Sequence, residues 1–416
     1  MATLILNASE ILTMAGPDGP RAGKDKGTLG LLRDGAVLID QGKIVAAGPK
    51  PVVLTNPLAK GAKILSAEGR VLLPGFVDAH THPVFAAPRL DDFEGRIAGK
   101  TYAELAQKGG GILSTVNGVR GSKETDLAAG LRMRALDFVS SGTTTIEAKS
   151  GYGLDLDNEL KLLRVMRTVS SRGPLEIVPT FLGAHAVPPE FKGRKGEFVE
   201  RICATMIPRV AEEKLAAFVD LFCEQGYFDL DDLRAIASAG AKAGLKLKVH
   251  AEQLSRMGSL DAALKLGAVT ADHLDCVTED DIPALSASGT VACLVPGSNY
   301  FLGKPYPPAR RLLDLGAAVA LATDFNPGTC PCFDMRMIVS IACTQMKMSP
   351  AEALVSSTIN GAHALGLGAS HGSLEPGKIA DIACFDASDH RELAYWFGAP
   401  RTRWVMKRGE IAWKAS

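Results

Sequence analysis

Eight short apolar segments alternate with helix-like segments through the middle of the chain, and this alternation constrains the fold more than any other feature. The segments that predict strands are GFVDAHTH, TTTIEAKS, EIVPTFLGAH, FVDLFCEQ, LKVHAEQ, AVTADHL, TVACLVPGS and AVALATDF. Their apolar residues run consecutively, as is typical of strands buried on both faces. Between them, stretches such as DLAAGLRMRALDFVSSG, NELKLLRVMRTVSSRG and DLDDLRAIASAGAKAGL repeat apolar residues every three or four positions and end near a glycine. This alternation predicts an α/β fold, a (β/α)8 TIM-like barrel.

The two ends of the chain show a different pattern, in which short apolar runs are separated by glycine-rich turns. LILNASEILTM and AVLIDQGKIVAAG predict β-hairpins, the second turning at Gln41-Gly42, and WVMKRGEIAWK predicts another around Arg408-Gly409. Neither end alone offers a core, so we expect residues 1–68 and 372–416 to combine into one discontinuous β-sandwich domain. The barrel then occupies residues 69–371, and a chain of 416 residues suits this pair of domains.

Charge and cysteine content narrow the partners and the compartment. Lys+Arg and Asp+Glu both total 46, so no net field favours nucleic acid or an anionic membrane, and we expect neither as a partner. The start, MATLILNASEILTM, lacks a basic flank and an A-x-A cleavage pattern, and no window is apolar over the ~18 residues of a membrane helix. Cysteines stand singly in apolar segments, apart from the Cys330–Cys332 pair, which alone is a poor zinc signal. We therefore expect a cytoplasmic protein with structural thiols.

Polar side chains stand at the carboxyl ends of the predicted strands, the edge at which barrel enzymes build their sites. They are His80 and His82; Glu147 and Lys149; His185; Glu224; His250 and Glu252; His273; Ser298 and Asn299; and Asp324. A single strand that ends in histidine usually has a structural histidine, but five of the chain's eight histidines lie on this one rim. That concentration favours a metal site.

His80 and His82 lie two residues apart on one strand, so both imidazoles point into the barrel mouth. His250 adds a third nitrogen, and Asp324 adds an oxygen from the last strand, which closes next to the first. Three histidines and an aspartate with room for water are typical of a catalytic metal centre, in which the ion lowers the pKa of water toward ~7 and supplies hydroxide. Asp78 could be a ligand by type, but it lies deeper than His80, so we expect it to brace an imidazole.

Several motifs resemble those of the amidohydrolase superfamily over almost the whole chain, namely GFVDAHTH, VHAEQ, DHL, ATDFNPGT and GSLEPGKIADIACFD. Within it, EAKSGYGL, FLGAHAVPPEF, VHAEQLS and TDFNPGTCP closely resemble the imidazolonepropionase family of histidine degradation. The resemblance implies hydrolysis of 4-imidazolone-5-propanoate to N-formimidoyl-L-glutamate with one zinc or iron ion per subunit, and it implies a homodimer. Three histidines and an aspartate suit either metal.

The substrate implied by this resemblance is a small molecule with a carboxylate tail, and Arg89 is the predicted partner of that tail. A guanidinium binds a carboxylate through two parallel hydrogen bonds, although a loop arginine is otherwise usually a solvated charge. Tyr152, in a turn flanked by glycines, is expected to reach the tail or the ring, and a packed aromatic residue is an equally good explanation without the resemblance. Tyr102 is a weaker candidate of the same kind, and His185 is expected to contact the substrate.

Three residues are expected to handle protons. His273 is predicted to polarise the carbonyl oxygen or to shuttle a proton, and Asp324 to take the proton of the attacking water. Glu252 lies two residues after His250, so we expect its carboxylate to point into the pocket, to hydrogen-bond a ring nitrogen and to help protonate the leaving nitrogen. Alternatively, Glu252 orients a ligand histidine.

The loop after Asp324 carries three more candidates for substrate binding. Asn326, Gly328 and Thr329 resemble residues that contact the product in the imidazolonepropionase family. As a plain loop, N-P-G-T is simply a good turn, so both interpretations stay open.

The end of the fourth predicted strand bears on the number of metal ions. Strand four ends FCEQG, without the lysine that bridges two ions in binuclear relatives, which argues for one metal, although Glu224 could still act as a bridge. Lys149 is expected to pair with Glu147 or another acidic residue.

An aminohydrolase acting on a related cyclic amidine or purine would share the metal ligands, but Arg89 and Tyr152 favour a substrate with a carboxylate. A non-catalytic scaffold should have lost its ligands, and they are all present.

Overall fold

The computed structural model describes residues 1–100, 104 and 110–416, so Tyr102 lies outside the described residues. The strands are β1 (Thr3–Leu6), β2 (Glu10–Leu12), β3 (Leu31–Leu32), β4 (Gly35–Asp40), β5 (Lys43–Pro49), β6 (Lys63–Ser66), β7 (Val71–Pro74), β8 (Phe76–Asp78), β9 (Thr143–Lys149), β10 (Glu176–Ala184), β11 (Phe218–Cys223), β12 (Lys246–Ala251), β13 (Thr270–His273), β14 (Val291–Leu294), β15 (Val319–Leu321), β16 (Ile382–Phe385), β17 (Thr402–Lys407) and β18 (Glu410–Lys414). The helices are α1 (Lys50–Val53), α2 (Leu90–Ile97), α3 (Ile112–Gly121), α4 (Glu124–Ser140), α5 (Leu156–Arg172), α6 (Lys195–Arg201), α7 (Ile207–Glu212), α8 (Leu230–Lys242), α9 (Ser259–Lys265), α10 (Ile282–Ala287), α11 (Pro296–Leu302), α12 (Ala309–Asp314), α13 (Met335–Met346), α14 (Pro350–Ser356), α15 (Ile359–Ala364) and α16 (Glu392–Tyr395).

Strands β8 to β15 form one eight-stranded parallel sheet in strict chain order, which confirms the predicted (β/α)8 barrel. Each of the eight predicted segments contributes one of these strands. The sheet closes where the residues after β8 meet those after β15, because Thr81 and Phe325 form a parallel bridge. The amide of His82 also donates to the Phe325 carbonyl at 2.8 Å. The barrel therefore closes at the segment that carries the H-x-H pair.

Capping side chains fix where the outer helices begin. The Asp155 side chain accepts from the amide of Asn158 at the start of α5, at 2.8 Å. Asp229 and Asp232 form a reciprocal capping box at the start of α8. Both caps follow the loops after β9 and β11, so they set the point at which each loop ends and its helix begins. No helix in the described ranges is both long and apolar enough to span a membrane.

The two ends of the chain form two further sheets, with strand orders β5-β4-β1-β6 and β18-β17-β16-β7-β2-β3. Apolar side chains from both sheets, including Ile5, Leu72, Ile382 and Trp404, share one buried cluster, so the sheets pack face to face. Strand β7 pairs with β2 and β16, so sheet structure from the terminal segments continues past residue 68. The division into a domain of 1–68 plus 372–416 and a barrel domain of 69–371 stays a prediction.

Two of the three predicted hairpins are present, and the prediction of the third is wrong. β4 and β5 turn at Gln41-Gly42, and β17 and β18 turn at Arg408-Gly409, with φ of 49°, 75°, 52° and 80° respectively. Positive φ at both central positions matches the twist of a two-residue hairpin. LILNASEILTM is not a hairpin, since β1 pairs with β4 and β6 whereas β2 pairs with β3 and β7. The residues between β1 and β2 carry the chain from one sheet to the other.

Candidate active site

Four buried histidines and one buried aspartate meet at the carboxyl-terminal mouth of the barrel, namely His80, His82, His250, His273 and Asp324. His80 Nε2 lies 3.3 Å from His82 Nε2 and 3.6 Å from Asp324 Oδ1. The ring centroids of His250 and His273 lie 4.6 and 5.2 Å from that of His80. Two sets of three possible metal ligands thus share His80, one with His82 and Asp324 and the other with His250 and His273. The four expected metal ligands are divided between these sets, and His273 lies beside them.

The backbone turns sharply at these strand ends. Glu252, His273 and Asp324 have φ of 52°, 77° and 54°, a region that residues other than glycine rarely adopt. The amide of Asp324 donates to the carbonyl of His80 at 3.0 Å across the seam of the barrel. Strained backbone of this kind persists only where the surrounding structure holds it in place, and it is found mostly at functional sites.

The protonation states of the cluster suit metal binding. Burial lowers the pKa of His80, His82 and His273 well below that of free imidazole, and neighbouring positive charges lower it further. Neutral imidazole is the form that binds metal ions. Burial raises the pKa of Asp324 well above its ordinary value, so this carboxylate needs a positive charge beside it to stay ionised at neutral pH. The donor set of neutral nitrogens and one such carboxylate fits a divalent metal ion.

Two buried aspartates that the sequence analysis missed contact the histidines from within the barrel. Asp272 Oδ2 lies 2.6 Å from His80 Nδ1, and Asp220 Oδ2 lies 3.0 Å from His250 Nδ1. The hydrogen bond between His80 Nδ1 and Asp272 holds the proton on that nitrogen and leaves Nε2 available to a metal, while the Asp220 carboxylate lies close beside His250 Nδ1. The available signal was an ionisable residue inside an apolar strand, as in FVDLFC and TADH.

The expectation that Asp78 braces an imidazole is wrong. Its carboxylate accepts from the amide and the hydroxyl of Thr323, at 3.0 and 2.6 Å. Burial raises the pKa of Asp78 to about 7. Because Asp78 lies below the mouth on β8, it reaches the end of β15 rather than a ring nitrogen, and it ties the first and last strands together.

Lys149 lies in the barrel interior and pairs with Glu147, as predicted, at 2.8 Å. Its ammonium also lies 2.7 Å from Asp220 and 3.5 Å from Asp272. Burial alone would lower the pKa of Lys149, but the carboxylates of Asp220, Glu147 and Asp272 outweigh it and raise that pKa. A second buried lysine, Lys248, donates to the carbonyl of Ala79 at 2.7 Å.

Arg89 lies in the loop between β8 and α2 and is half-buried, and its amide donates to the Pro327 carbonyl in the loop after Asp324 at 3.2 Å. Its Nε donates to Thr115 Oγ1 at 2.9 Å, and its guanidinium lies against Gly328, where an added Cβ would lie only 2.5 Å from the Arg89 Cζ. Arg89 and Thr115 also line a cavity of about 620 Å³. The loops after β8 and β15 therefore hold this arginine jointly.

Tyr152 and His185 pack against the metal-binding histidines. The rings of His82 and His185 stack at 5.1 Å, and Tyr152 lies 5.4 Å from His185 and 6.0 Å from His82. Burial, with His250 and Arg89 among the other contributors, lowers the pKa of His185 to about 3, so this ring is neutral. Its Nδ1 lies 3.0 Å from the carbonyl of Gly151, which leaves Nε2 as an acceptor.

The turn that carries Tyr152 is held by Glu159, another buried residue that the sequence analysis missed. The Glu159 carboxylate accepts from the amides of Gly151, Gly153 and Leu154, at 3.0, 2.8 and 2.8 Å. Converging amides are a strong site for a negative charge. Glu159 lies in the first turn of α5 and reaches back to the loop at the barrel mouth, so the helix positions the loop.

Glu252 does not point as expected. Its carboxylate accepts from the Met257 amide at 2.9 Å, the Ser259 hydroxyl at 3.0 Å and the Leu260 amide at 3.2 Å. The two-residue alternation that was used to place it beside His250 fails, because β12 ends at Ala251 and Glu252 has a left-handed backbone. The observed contacts direct the carboxylate toward the start of α9.

Glu224 is also directed away from the histidines. Its carboxylate accepts from the amides of Leu254 and Gln225, at 2.7 and 2.8 Å, and from the hydroxyl of Ser255. Among the described residues, the groups that could hold a metal do not include Glu224. The structure therefore gives no support to Glu224 as a bridge to a second ion.

Asn326 organises the loop after Asp324. Its amide nitrogen donates to the Asp324 carbonyl and to Thr329 Oγ1, both at 2.7 Å, and its Oδ1 accepts from the amides of Gly328 and Thr329, at 2.8 and 2.7 Å. The side chain is thus engaged within the turn. Gly328 lies against Arg89 in the same loop, and Thr329 contacts the Asn326 side chain.

Comparison with known proteins agrees with this architecture. The model of the amidohydrolase family matches residues 71–412. The imidazolonepropionase of Solibacter usitatus is 46% identical over 413 residues, covering 99% of both chains. That of Symbiobacterium thermophilum is 42% identical over 412 residues, covering 98% of this chain and 96% of the relative.

Two solved structures illustrate the shared fold. The guanine deaminase of E. coli matches with a TM-score of 0.72 at 14% identity, covering 100% of both chains. An adenosine deaminase from Xanthomonas campestris, solved with bound zinc, matches with a TM-score of 0.70 at 19% identity, covering 98% of this chain and 92% of that chain. At these identities the likeness concerns the fold alone.

Proposed function

The chain belongs to the amidohydrolase family and, within it, to the imidazolonepropionases, and we propose that its barrel mouth opens the ring of 4-imidazolone-5-propanoate to give N-formimidoyl-L-glutamate. The protein is thus a hydrolase of histidine degradation that acts on a small molecule. The observation that carries the proposal is the position of the histidine and aspartate cluster directly against Tyr152 and His185, with Arg89 on the same side.

We assign one zinc or iron ion per subunit to His80, His82, His250 and Asp324. The short distances among His80, His82 and Asp324, the His250 ring 4.6 Å from that of His80, and the lowered pKa of His80 and His82 support the assignment. When bound, such an ion acidifies a water ligand and polarises a carbonyl oxygen. The protein's own side chains bind the substrate and move the protons.

The carboxylate tail of the substrate is assigned to Arg89. The contacts of Arg89 with Thr115 and Gly328 fix its guanidinium, so the terminal nitrogens are preorganised for two parallel hydrogen bonds. Tyr152, His185, Gly328 and Thr329 are assigned to the remaining substrate contacts. Asn326 acts on the substrate through the shape of its loop.

Three residues handle protons as water adds to the ring carbonyl carbon and the bond to the neighbouring nitrogen breaks. Asp324 accepts a proton from the attacking water, and His273 donates a hydrogen bond to the carbonyl oxygen as negative charge develops there. Glu252 helps to protonate the leaving nitrogen. This role requires its carboxylate to turn away from Met257 and Ser259 when the substrate binds.

The test follows the loss of imidazolonepropionate absorbance with the wild type and His273→Ala, and measures zinc and iron in both proteins. We expect kcat to fall by about 10²- to 10⁴-fold in the variant with its metal content unchanged. His363→Ala is the matched control, since His363 lies on α15 against Gly368. A fully active His273→Ala would overturn the mechanism, and a purine turned over in place of the imidazolone would overturn the substrate.

We also propose a homodimer and a cytoplasmic location. Tyr395, Trp396 and Phe397 are consecutive and are 73%, 46% and 67% exposed, and such apolar patches are typical of contact surfaces between proteins. All eight cysteines are free thiols, which fits a reducing compartment. Light scattering should give twice the chain mass for the wild type and a single chain mass for Tyr395→Ser/Phe397→Ser. If the double variant remained a dimer, the interface would lie on another surface.

A further inference from the structure

Five charged side chains lie buried together beneath the histidine cluster, namely Glu147, Lys149, Asp220, Lys248 and Asp272. Each is at most 1% exposed. Burying so many charges is costly and is rarely retained for stability alone, because apolar residues of similar volume would pack at least as well. The group therefore calls for a role beyond filling the barrel.

Lys149 is the one member that joins the two carboxylates in contact with the histidines. Its ammonium is 2.7 Å from Asp220 and 3.5 Å from Asp272. Asp220 in turn meets His250 Nδ1, and Asp272 meets His80 Nδ1. A continuous chain of polar contacts thus runs from one histidine to the other through the single ammonium nitrogen of Lys149 on β9.

Lys248 occupies a different position in the group. It donates to the backbone of Ala79, lies 3.2 Å from Glu147 and reaches Asp272 only at 3.9 Å. Its strongest contact therefore supports the strand before His80 rather than the carboxylate that orients the ring. Lys248 cannot replace Lys149 as the link between the two aspartates.

We propose that Lys149 is a positioning residue that holds Asp220 and Asp272 against the Nδ1 atoms of His250 and His80, and so fixes which nitrogen each ring presents to the metal. The inference rests on the proposed function only in assigning those two rings to the metal. Without the ammonium, two carboxylates buried close together repel each other, and each ring is free to rotate or to change tautomer.

The test compares the Zn²⁺ affinity of the purified wild type, a double variant and a control variant by competition with a chromophoric chelator. Lys149→Met/Glu147→Gln removes one cation and one anion, so the net buried charge is conserved while the link is lost. Thr180→Val is the control, because it removes a 2.5 Å hydrogen bond to Glu147 and leaves every charge in place. We expect the double variant to bind Zn²⁺ about 10- to 100-fold more weakly than Thr180→Val.

A second measurement separates positioning from stability. The visible spectrum of the Co²⁺-loaded proteins should change in the double variant and not in Thr180→Val, and urea unfolding without metal shows whether the two variants are equally stable. If the double variant does not fold, Lys149→Gln/Glu147→Gln takes its place, because it removes the same two charges with polar side chains, and weaker Zn²⁺ binding than in Thr180→Val is again expected. Affinity and spectrum equal to those of the control would overturn the role of Lys149. If His80→Ala instead kept the Zn²⁺ affinity and the Co²⁺ spectrum of the wild type, the metal assignment would be overturned, and with it the proposed function.

Discussion

A single glycine controls the position of the arginine assigned to the substrate tail. Arg89 is flexible by nature, yet its Nε is tied to Thr115 and its guanidinium lies against the bare backbone of Gly328. Any larger residue at 328 would occupy the volume that the guanidinium fills. The N-P-G-T loop is therefore more than a turn, because the absence of a side chain at Gly328 leaves room for the guanidinium.

Gly328→Ala should raise KM for imidazolonepropionate about 10-fold and change kcat little. The new Cβ would lie 2.5 Å from the Arg89 Cζ, so the flexible arginine must move, and a misplaced charged hydrogen bond costs about 1.5–3 kcal/mol. Steady-state kinetics measures the effect. Gly196→Ala, where an added Cβ meets nothing within 4 Å, should behave as the wild type. An unchanged KM in Gly328→Ala would dissociate Arg89 from substrate binding.

Helix α5 and the turn before it act as one element. Asp155 caps the helix, and Glu159 reaches back from it to the amides of the Gly151–Leu154 turn. The turn carries Tyr152, and the carbonyl of Gly151 orients His185. The two residues assigned to the substrate, which follow neighbouring strands, are thus held in place through one carboxylate.

Glu159→Gln should loosen this turn. A neutral amide offers one acceptor in place of a carboxylate that meets three backbone amides, so charge-assisted hydrogen bonds are lost. We expect KM to rise several-fold with the metal content unchanged, and the free energy of unfolding to fall by about 1–3 kcal/mol. Asp157→Asn removes an equal charge from the exposed side of the same first turn and should change neither quantity. A KM as low as that of the wild type would show that the turn holds its shape without Glu159.

The elements that could be predicted from the sequence are those with a local cause. Continuous apolar runs and helix periodicity gave every barrel strand, and the H-x-H spacing placed His80 and His82 together. The partners of buried polar groups depend on register between strands that are distant in sequence, so Asp272 beneath His80 was not predicted. The predicted direction of the Glu252 side chain was wrong, because Glu252 has a left-handed backbone that ends the strand alternation. No local sequence pattern predicts that backbone conformation.

At the scale of the molecule, ionic contacts join the barrel to the terminal sheets. Glu176 at the start of β10 meets His371, Lys407 and Arg408, at 3.3, 3.0 and 3.1 Å. Asp381 meets the same lysine at 2.6 Å. The hairpin at Arg408-Gly409 therefore docks on the amino-terminal face of the barrel, opposite the mouth, and leaves the active-site loops unobstructed.

Glu176→Gln should destabilise the protein at neutral pH and not in acid. Burial alone would raise the pKa of Glu176, but the hydrogen bond from His371 and the charge of Lys407 outweigh it and lower that pKa below its ordinary value. A carboxylate with a lowered pKa stabilises the fold above its unfolded pKa of about 4.3, and this contribution is lost as the pH falls toward the folded pKa. We expect a deficit of about 1–2 kcal/mol in the free energy of urea unfolding at pH 7, which shrinks steadily below about pH 4. Glu213→Gln, which breaks a part-exposed pair with Arg164 between α5 and the end of α7, controls for the loss of a surface charge that does not join the barrel to the terminal sheets. A deficit for Glu176→Gln that is the same at pH 3 as at pH 7 would mean that packing, not charge, joins the barrel to the terminal sheets.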